Sequence, residues 1–218
     1  MKTELTPMMK KRIFATIIGV IVCAVSVGFF KAAAFGVDPF QSFMSGLDSL
    51  IPIQFGTLYV IANCVLLLFS FVFDRHYIGL GTLINLLLTG YIAQYSMQFI
   101  LYLLPEPGAA IRAVYLLVGI VMMCFSSAFY FTADLGVSTY DAVALILSDK
   151  WHIADFKYCR IGCDLCCVIL GCILFLVSGG KISGIPAFAG IGTIITAFFM
   201  GPLIEFFNEH CARPYLRQ

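Results

Sequence analysis

The chain has 218 residues, of which 61% are hydrophobic and only 11% are charged. An average soluble domain has about 25% charged residues. This composition excludes an ordinary soluble domain, because too few charges are present to cover its surface. Intrinsic disorder is excluded as well, since it requires low hydrophobicity and high net charge. The formal net charge is +1, which leaves no basic excess for binding nucleic acid.

Long apolar segments occur six times along the chain. A helix needs roughly 20 apolar residues to cross a hydrocarbon core about 30 Å thick. The segments that meet this length are 13–35, 55–73, 78–104, 111–133, 157–177 and 185–208. The connections 36–54 and 134–156 are longer than the others. The sequence therefore predicts an all-α membrane protein with six transmembrane helices in contact with the lipid bilayer.

The first segment resembles a secretory signal peptide, because it has a basic start and a small-residue site at Ala32-Ala33-Ala34. Its apolar run is longer than the usual stretch of about 7–15 residues. It also has a counterpart later in the chain, which a cleaved leader would not need. We therefore expect it to be retained as the first transmembrane helix.

The distribution of Lys and Arg predicts the orientation. With the N-terminus inside, ten of the 13 basic residues lie on the inner side, and the other three are Lys31, Arg112 and Lys181. Basic residues are enriched in cytoplasmic loops. The sequence thus predicts a multi-pass protein of the bacterial cytoplasmic (inner) membrane with both termini in the cytoplasm.

Two parts of the chain repeat each other. A shift of 100 residues aligns 19–37 with 119–137, where six of 19 positions are identical: Gly19, Ser26, Phe29, Ala33, Gly36 and Val37. A shift of 111 residues aligns 78–90 with 189–201, where Gly79, Gly81, Thr82, Ile84 and Gly90 recur. Each copy holds three spans, an odd number, so the second copy crosses the membrane in the opposite direction.

The predicted fold class is therefore two inverted three-helix repeats, each with an extra short helix after its first span. The predicted divisions are a cytoplasmic tail 1–12, repeat one 13–104, an external turn 105–110, repeat two 111–208 and a cytoplasmic tail 209–218.

The connection after the first span of each repeat carries a helix-start pattern. Asp38 and Ser138 are the expected N-caps, and Gln41 and Asp141 follow three residues later as reciprocal caps. A glycine before each cap permits a sharp break from the preceding span; these glycines are Gly36 and Gly136.

The short helices 39–50 and 139–149 are too brief to cross a bilayer. One interpretation places them on the membrane surface as amphipathic helices. The other makes them re-entrant half-helices, whose N-terminal N–H groups point at a buried anion or carbonyl. The sequence leaves both open for 39–50, whereas 139–149 is apolar nearly all round, which suits burial.

Several motifs carry a family resemblance. These are the starts Gly36-Val37-Asp38-Pro39-Phe40 and Gly136-Val137-Ser138-Thr139-Tyr140-Asp141, with Gly179-Gly180-Lys181 and the segment from Gly190 to Pro202. The chain resembles the YczE/YitT-like family of bacterial integral membrane proteins over nearly its whole length. The resemblance implies a six-helix inner-membrane protein, but it brings no established catalytic or binding residues.

Polar groups inside apolar spans require a reason, because an ionisable side chain in hydrocarbon costs about 2.5–3.5 kcal/mol. Asp164 aligns with Asn63 and is a candidate for a solute pathway; the alternative is an ion pair with Arg160, one turn earlier. The pairs Ser26/Ser126 and Asn85/Thr196 either line a polar cavity or simply join helices. The predicted substrate-binding set is Ser26, Gly36, Asp38, Gln41, Asn63, Ser126, Gly136, Ser138, Asp141 and Asp164.

No catalytic constellation, metal site or cofactor is predicted. The three His residues lie near the predicted cytoplasmic ends of spans, and no phosphate-binding glycine loop is present. The nine Cys residues are expected to be reduced thiols. We therefore expect a non-enzymatic carrier or permeation protein for an unknown small solute. The alternative is a non-transporting membrane partner or scaffold, such as the substrate-capturing subunit of a larger importer. The expected protein partner is a second copy of the chain, in a homodimer, or a partner subunit.

Overall fold

The computed structural model describes residues 6–217, which contain α-helices with short 3-10 and π turns and no strand. The α-helices are α1 (Pro7–Ala33), α2 (Pro39–Leu50), α3 (Phe55–Phe73), α4 (Leu80–Leu103), α5 (Ala109–Ala133), α6 (Thr139–Leu145), α7 (Phe156–Val177), α8 (Ile191–Phe207) and α9 (Arg213–Arg217). A π turn, Ile146–Lys150, extends α6, and 3-10 turns precede α4 and α8.

Five helices are long and apolar enough to cross a bilayer; they lie in α1, α3, α4, α5 and α7. A sixth span is reached only if Ile191–Met200 and Pro202–Leu216, which are bent by 50°, count as one. Pro202 lies inside this segment and, since proline lacks an N–H and clashes with the preceding turn, it accounts for the bend. The predicted all-α chain is confirmed, with five or six membrane-length spans.

Two predicted boundaries differ from the structure. The first span was expected from residue 13, but α1 already begins at Pro7, where the Thr6 hydroxyl accepts a hydrogen bond from the Met9 N–H at 3.4 Å. The last span was expected from residue 185, but the 3-10 turn Ile182–Ala187 delays the start of α8 to Ile191. The predicted tail residues 1–5 and 218 lie outside the described residues.

Helices α1 and α5 form the centre of the bundle and run antiparallel. A Cβ atom added at Gly19 would lie 3.1 Å from the Ser126 carbonyl oxygen, and one at Gly119 would lie 3.3 Å from the Ser26 carbonyl oxygen. Residues later in α1 therefore contact residues earlier in α5, as expected for antiparallel helices. Small residues at the crossing let the two backbones approach, as is usual between membrane helices.

The first and last long helices of each half run parallel to each other. In the second half, the δ carbon of Leu116 lies near Gly192, the Cys124 thiol contacts the Met200 carbonyl at 4.0 Å, and the Thr132 hydroxyl donates to the Asn208 side chain at 2.6 Å. All three contacts join α5 to residues 76 positions later. In the first half, α1 packs along α4 in the same direction.

The connection after the first long helix of each half is hydrogen-bonded to a loop of the other half. The N–H of Val37 donates to the Phe188 carbonyl at 3.0 Å, and the N–H of Val137 donates to the Tyr77 carbonyl at 3.1 Å. The residues before them, Gly36 and Gly136, have φ angles of +103° and +102°. This left-handed conformation favours glycine. The predicted sharp breaks are therefore present, and each lies against the loop before the other half's last long helix.

One end of the bundle holds the start of α1 and the ends of α3, α5 and α6, and we call it the basic end. Here Arg12 pairs with Asp134 at 3.9 Å, and the Lys150 ammonium donates to the Phe73 carbonyl. At the opposite end, the Arg112 guanidinium donates to the carbonyls of Ala33 and Ala34, at 2.7 and 3.0 Å. This contact satisfies carbonyls that the end of α1 leaves unpaired.

Candidate functional site

The first turns of α2 and α6 meet inside the bundle. The rings of Phe40 and Tyr140 stack with centroids 5.0 Å apart. Each short helix packs mainly on a long helix of the other half: α2 on α7, and α6 on α3. Since α2 is 12 residues long, its first turn lies about 16 Å along the helix axis from its C-terminal end. The candidate site is built around these two first turns.

Both predicted N-caps are present. The Asp38 carboxylate accepts a hydrogen bond from the Gln41 N–H at 3.1 Å. The Ser138 hydroxyl oxygen accepts from the Asp141 N–H at 3.0 Å, and its O–H donates to the Asp141 carboxylate at 2.6 Å. Each cap therefore satisfies an N–H that the helix start would leave unpaired. As a result, these two helix starts are occupied by the protein's own side chains.

A charged cluster lies beside Tyr140. The Arg160 guanidinium pairs with Asp141 and, at 3.2 Å, with Asp164. The Tyr140 hydroxyl donates to the same Asp164 oxygen at 2.6 Å, and Arg160 also lies 4.5 Å from the centre of the Tyr140 ring. The side chains of Asp141 and Asp164 are 13% and 14% exposed. The predicted alternative for Asp164, a pair with Arg160, is therefore present, and it joins two predicted site residues.

A neutral cluster of hydrogen bonds joins α3 to α6. Asn63 is 1% exposed; its amide donates to the Tyr59 carbonyl at 2.8 Å, and its carbonyl accepts from the Thr139 hydroxyl. Asn63 thus links α3 to the first turn of α6. The aligned positions 63 and 164 both contact that turn, one through an amide and the other through a carboxylate.

Aromatic rings continue the site toward the opposite end. The Phe40 ring lies 5.8 Å from the Tyr59 ring, which in turn lies 6.1 Å from the Phe55 ring. The Lys31 ammonium lies 3.0 Å from the centre of Phe55. Together with the Arg160 contact on Tyr140, a cation therefore covers each end of this row of rings, an arrangement that stabilises both charges.

The predicted site glycines, Gly36 and Gly136, pack tightly against neighbouring loops. A Cβ atom at Gly36 would lie 2.6 Å from the Gly190 nitrogen, and one at Gly136 would lie 2.5 Å from the Gly79 nitrogen. The Thr82 hydroxyl donates to the Val137 carbonyl at 2.6 Å across the same junction. These glycines position the short helices, because backbone atoms of the neighbouring loops lie directly against them.

Ser26 and Ser126 lie apart from the charged cluster. Each hydroxyl donates to a carbonyl of its own helix: Ser26 to Cys23 at 2.6 Å, and Ser126 to Met123 at 2.9 Å. Both residues lie at the crossing of α1 and α5. This geometry favours the interpretation that they serve helix packing.

Sequence reasoning missed three members of the site. Thr139 and Tyr140 belong to the motif that begins at Gly136, but no role was predicted for their side chains, and only their position next to the Ser138 cap could have indicated one. Lys31, which was counted only among the three outer basic residues, lies over a ring of α3. The nine cysteines, which all lie among the described residues, form no disulfide there.

The chain matches the model of a family of unknown function (DUF6198) over residues 10–209. The chain belongs to this family. It is 26% identical over 192 residues to an uncharacterized membrane protein, YczE, of Bacillus subtilis (strain 168), and the match covers 86% of this chain and 81% of the relative. The predicted YczE-like resemblance is therefore confirmed, and the chain is a multi-pass membrane protein.

A second relative is an uncharacterized protein of Haemophilus influenzae (strain ATCC 51907 / DSM 11121 / KW20 / Rd). It is 26% identical over 136 residues, which cover 62% of this chain and 56% of the relative. No solved structure matches the chain.

Proposed function

We propose that this protein is a small-solute secondary transporter or permeation protein, whose site lies between two inverted repeats. It resides in the bacterial cytoplasmic membrane, with the basic end and both termini in the cytoplasm. It moves a solute rather than transforming one, so no residue of the site has a catalytic role.

Equivalent contacts in the two halves support the inverted repeat. The Gly81 N–H donates to the Leu135 carbonyl at 2.8 Å, and the Gly192 N–H donates to the Phe35 carbonyl at 2.7 Å. The two contacts interchange under the shifts of 100 and 111 residues. The antiparallel crossing of α1 and α5 has the direction that an inverted repeat requires.

The observation that carries the transport function is the meeting of two short-helix first turns in the middle of the bundle. Transporters built from inverted repeats commonly place half-helix starts at the repeat interface, where the solute binds. Here that meeting point holds the stacked rings of Phe40 and Tyr140 and the ion pairs of Arg160. Charged groups at membrane depth typically mark solute or ion pathways.

Hydrogen bonds at both ends of the bundle support an occluded state. At the basic end, the Tyr77 hydroxyl donates to Asp149 at 2.9 Å, which joins the end of α6 to the loop after α3. At the opposite end, the Ser178 and Ser49 hydroxyls lie 3.1 Å apart and join the ends of α7 and α2. Alternating access then requires that one of these two contacts opens while the other stays closed.

Uptake into proteoliposomes tests the proposal. Labelled amino acids, sugars, nucleosides and organic ions should be screened for flux above that of empty vesicles, and we expect at least one class to be taken up. Asp164→Asn should reduce that flux, because it disturbs the Arg160 cluster. Asp155→Asn is the matched control, since Asp155 is exposed and makes no side-chain cap bond.

Two results would count against the proposal. One is the absence of flux for every class from a correctly folded protein. The other is stable co-purification with an ATPase or an enzyme that is needed for any flux, which would instead indicate the partner-subunit role.

Cysteine labelling tests the topology. In a cysteine-free variant, a single Cys at Gly108 should react with an impermeant maleimide from outside the cell, since Gly108 lies in the turn between the two halves with open space around it. A single Cys at Ser148, at the basic end, should react only after permeabilisation. Labelling of both positions from the same side would contradict the inverted repeat.

A further inference from the structure

One face of α2 carries all of its acidic residues. Asp38, Gln41, Ser45 and Asp48 are spaced by three, four and three residues, so they share a face of the helix. Phe40 and Met44 lie on the other side, in the core with α3. The polar face therefore runs from the opposite end of the bundle down to the first turn of α2.

Gln41 contributes a buried acceptor to this face. The residue is only 3% exposed, and within the described part of the chain its side-chain oxygen has no hydrogen-bond donor. The backbone N–H of Gln41 donates a hydrogen bond to the Asp38 carboxylate. A buried amide oxygen needs a hydrogen-bond donor. An O–H or N–H group at the position of the Asp38 carboxylate would supply one.

Asp38 is a carboxylate without a cation of its own. The ion pairs found among residues 6–217 do not include it. Arg160, which acts on Asp38 electrostatically, is already paired with Asp141 and Asp164. The titratable and charged groups that interact electrostatically with Asp38 come from α1, α3 and α7: Cys23, Lys31, Tyr59, Arg160, Asp164 and Cys167.

The charges of this region do not balance when all of its groups are ionised. Three partly buried carboxylates, Asp38, Asp141 and Asp164, face two partly buried cations, Lys31 and Arg160, whereas Asp48 is exposed. A surplus of buried negative charge is unfavourable unless a cation or a proton joins it. A metal ion would need several oxygen ligands, and among the described residues no group of three or more His, Cys, Asp or Glu side chains could hold one.

We propose that Asp38 is a reversible proton-binding site and that Gln41 stabilises its protonated form. A proton from water converts the Asp38 carboxylate to a carboxylic acid, whose O–H donates to the Gln41 side-chain oxygen. Loss of the same proton to water on the other side restores the carboxylate. The role of this site as the coupling site of a transporter rests on the proposed function, whereas proton binding itself does not.

Infrared difference spectroscopy tests the site directly, because the C=O stretch of a protonated carboxyl is separate from carboxylate bands. The wild-type protein in lipid should gain this band on titration from about pH 8 to about pH 5. Asp38→Asn should lose it and still fold, since Asn is an equally good N-cap. The exposed-site control, Asp155→Asn, should keep it.

Gln41→Leu provides a second variant. If Gln41 accepts from the protonated carboxyl, its loss should weaken proton binding about tenfold and lower the midpoint by about one pH unit. A wild-type protein without a titrating carboxyl band, or a band that survives in Asp38→Asn, would overturn the proposal, and so would an unchanged midpoint in Gln41→Leu. A band that behaves as expected in a protein with no solute flux would support the proton site and refute only the transport role.

Discussion

Helices α3 and α7 each contact a short helix of the other half, but they are held by different further partners. Helix α3 packs on α4 of its own half, where the Gly56 N–H donates to the Gln94 side chain at 3.2 Å and the hydroxyls of Thr57 and Tyr91 lie 3.0 Å apart. Helix α7 packs mainly along α2 of the other half, through Gly171. Helix α3 is therefore held by a long helix of its own half as well as by α6, whereas α7 depends mainly on the short helix α2 of the other half.

The same two helices also differ in charge. Asn63 of α3 binds Thr139, whereas Asp164 of α7 binds Arg160 and Tyr140. Position 41 is Gln and its counterpart 141 is Asp. The contacts of α3 are therefore neutral, whereas those of α7 include the ion pairs of the cluster.

The largest expected effect comes from removing the cation of the second half. Arg160→Met leaves Asp141 and Asp164 without a positive partner, which should cost about 3–5 kcal/mol of unfolding free energy. Thermal unfolding in detergent measures the loss. The triple variant Arg160→Met/Asp141→Gln/Asp164→Asn removes all three charges, with the neutral residues of positions 41 and 63 at 141 and 164, and should regain most of that stability. A triple variant as unstable as the single one would show that the charges are not the cause.

The contact between α2 and α7 should be nearly as sensitive. A Cβ atom at Gly171 would lie 2.5 Å from the Ser42 carbonyl oxygen. Gly171→Ala should therefore separate the helices and cost about 3 kcal/mol in thermal unfolding. The matched control on the same helix, Gly162→Ala, has open space around its Cβ atom and should change stability by less than about 1 kcal/mol. Equal effects of the two variants would argue against this helix contact.

The neutral cluster should give a smaller effect. Thr139→Val removes the donor to the Asn63 carbonyl oxygen, which is buried, so stability should fall by about 1–2 kcal/mol in the same unfolding assay. Thr196→Val is the control, because the Thr196 hydroxyl bonds only to a carbonyl of its own helix. If the control lost as much stability as Thr139→Val, the link between α3 and α6 would have no special importance.

The smallest effect is expected at the basic end. Burial, followed by the hydrogen bond to Asp149, raises the pKa of Tyr77 to about 12. The hydroxyl therefore stays protonated, and its contribution persists below about pH 10 and is lost only as the pH rises through 12. Tyr77→Phe should cost less than about 1 kcal/mol, by the same amount at about pH 6 and about pH 9. A difference that changes between these two pH values would contradict this assignment.

Much of the architecture could be predicted because its causes are local. The lengths of the apolar segments gave the bounds of α3 and placed the other long helices within a few residues, apart from the starts of α1 and α8. The caps at Asp38 and Ser138 followed from residue type and spacing alone. Pro202 gives a local reason for the bend in the last span. The segment is apolar on both sides of Pro202, so hydropathy alone does not indicate a break there.

The partners across the bundle could not be predicted in this way. Nothing in the sequence of α2 indicates that it packs on α7 rather than on α1, because the choice depends on the shapes of surfaces far apart in the chain. The pairing of Arg160 with Asp164 was within reach, since the two residues lie four positions apart. Its extension to Asp141 and Tyr140 required the fold.

The exchange of short helices has a consequence for biosynthesis. Helix α2 leaves the ribosome about a hundred residues before α7, the surface on which it finally rests. During that interval its apolar side has only lipid or the insertion machinery to cover it, so the nascent helix is expected to wait at the bilayer interface. In a truncated chain that stops before α7, helix α2 is expected to stay at the bilayer interface. Folding of the first half therefore requires synthesis of the second half.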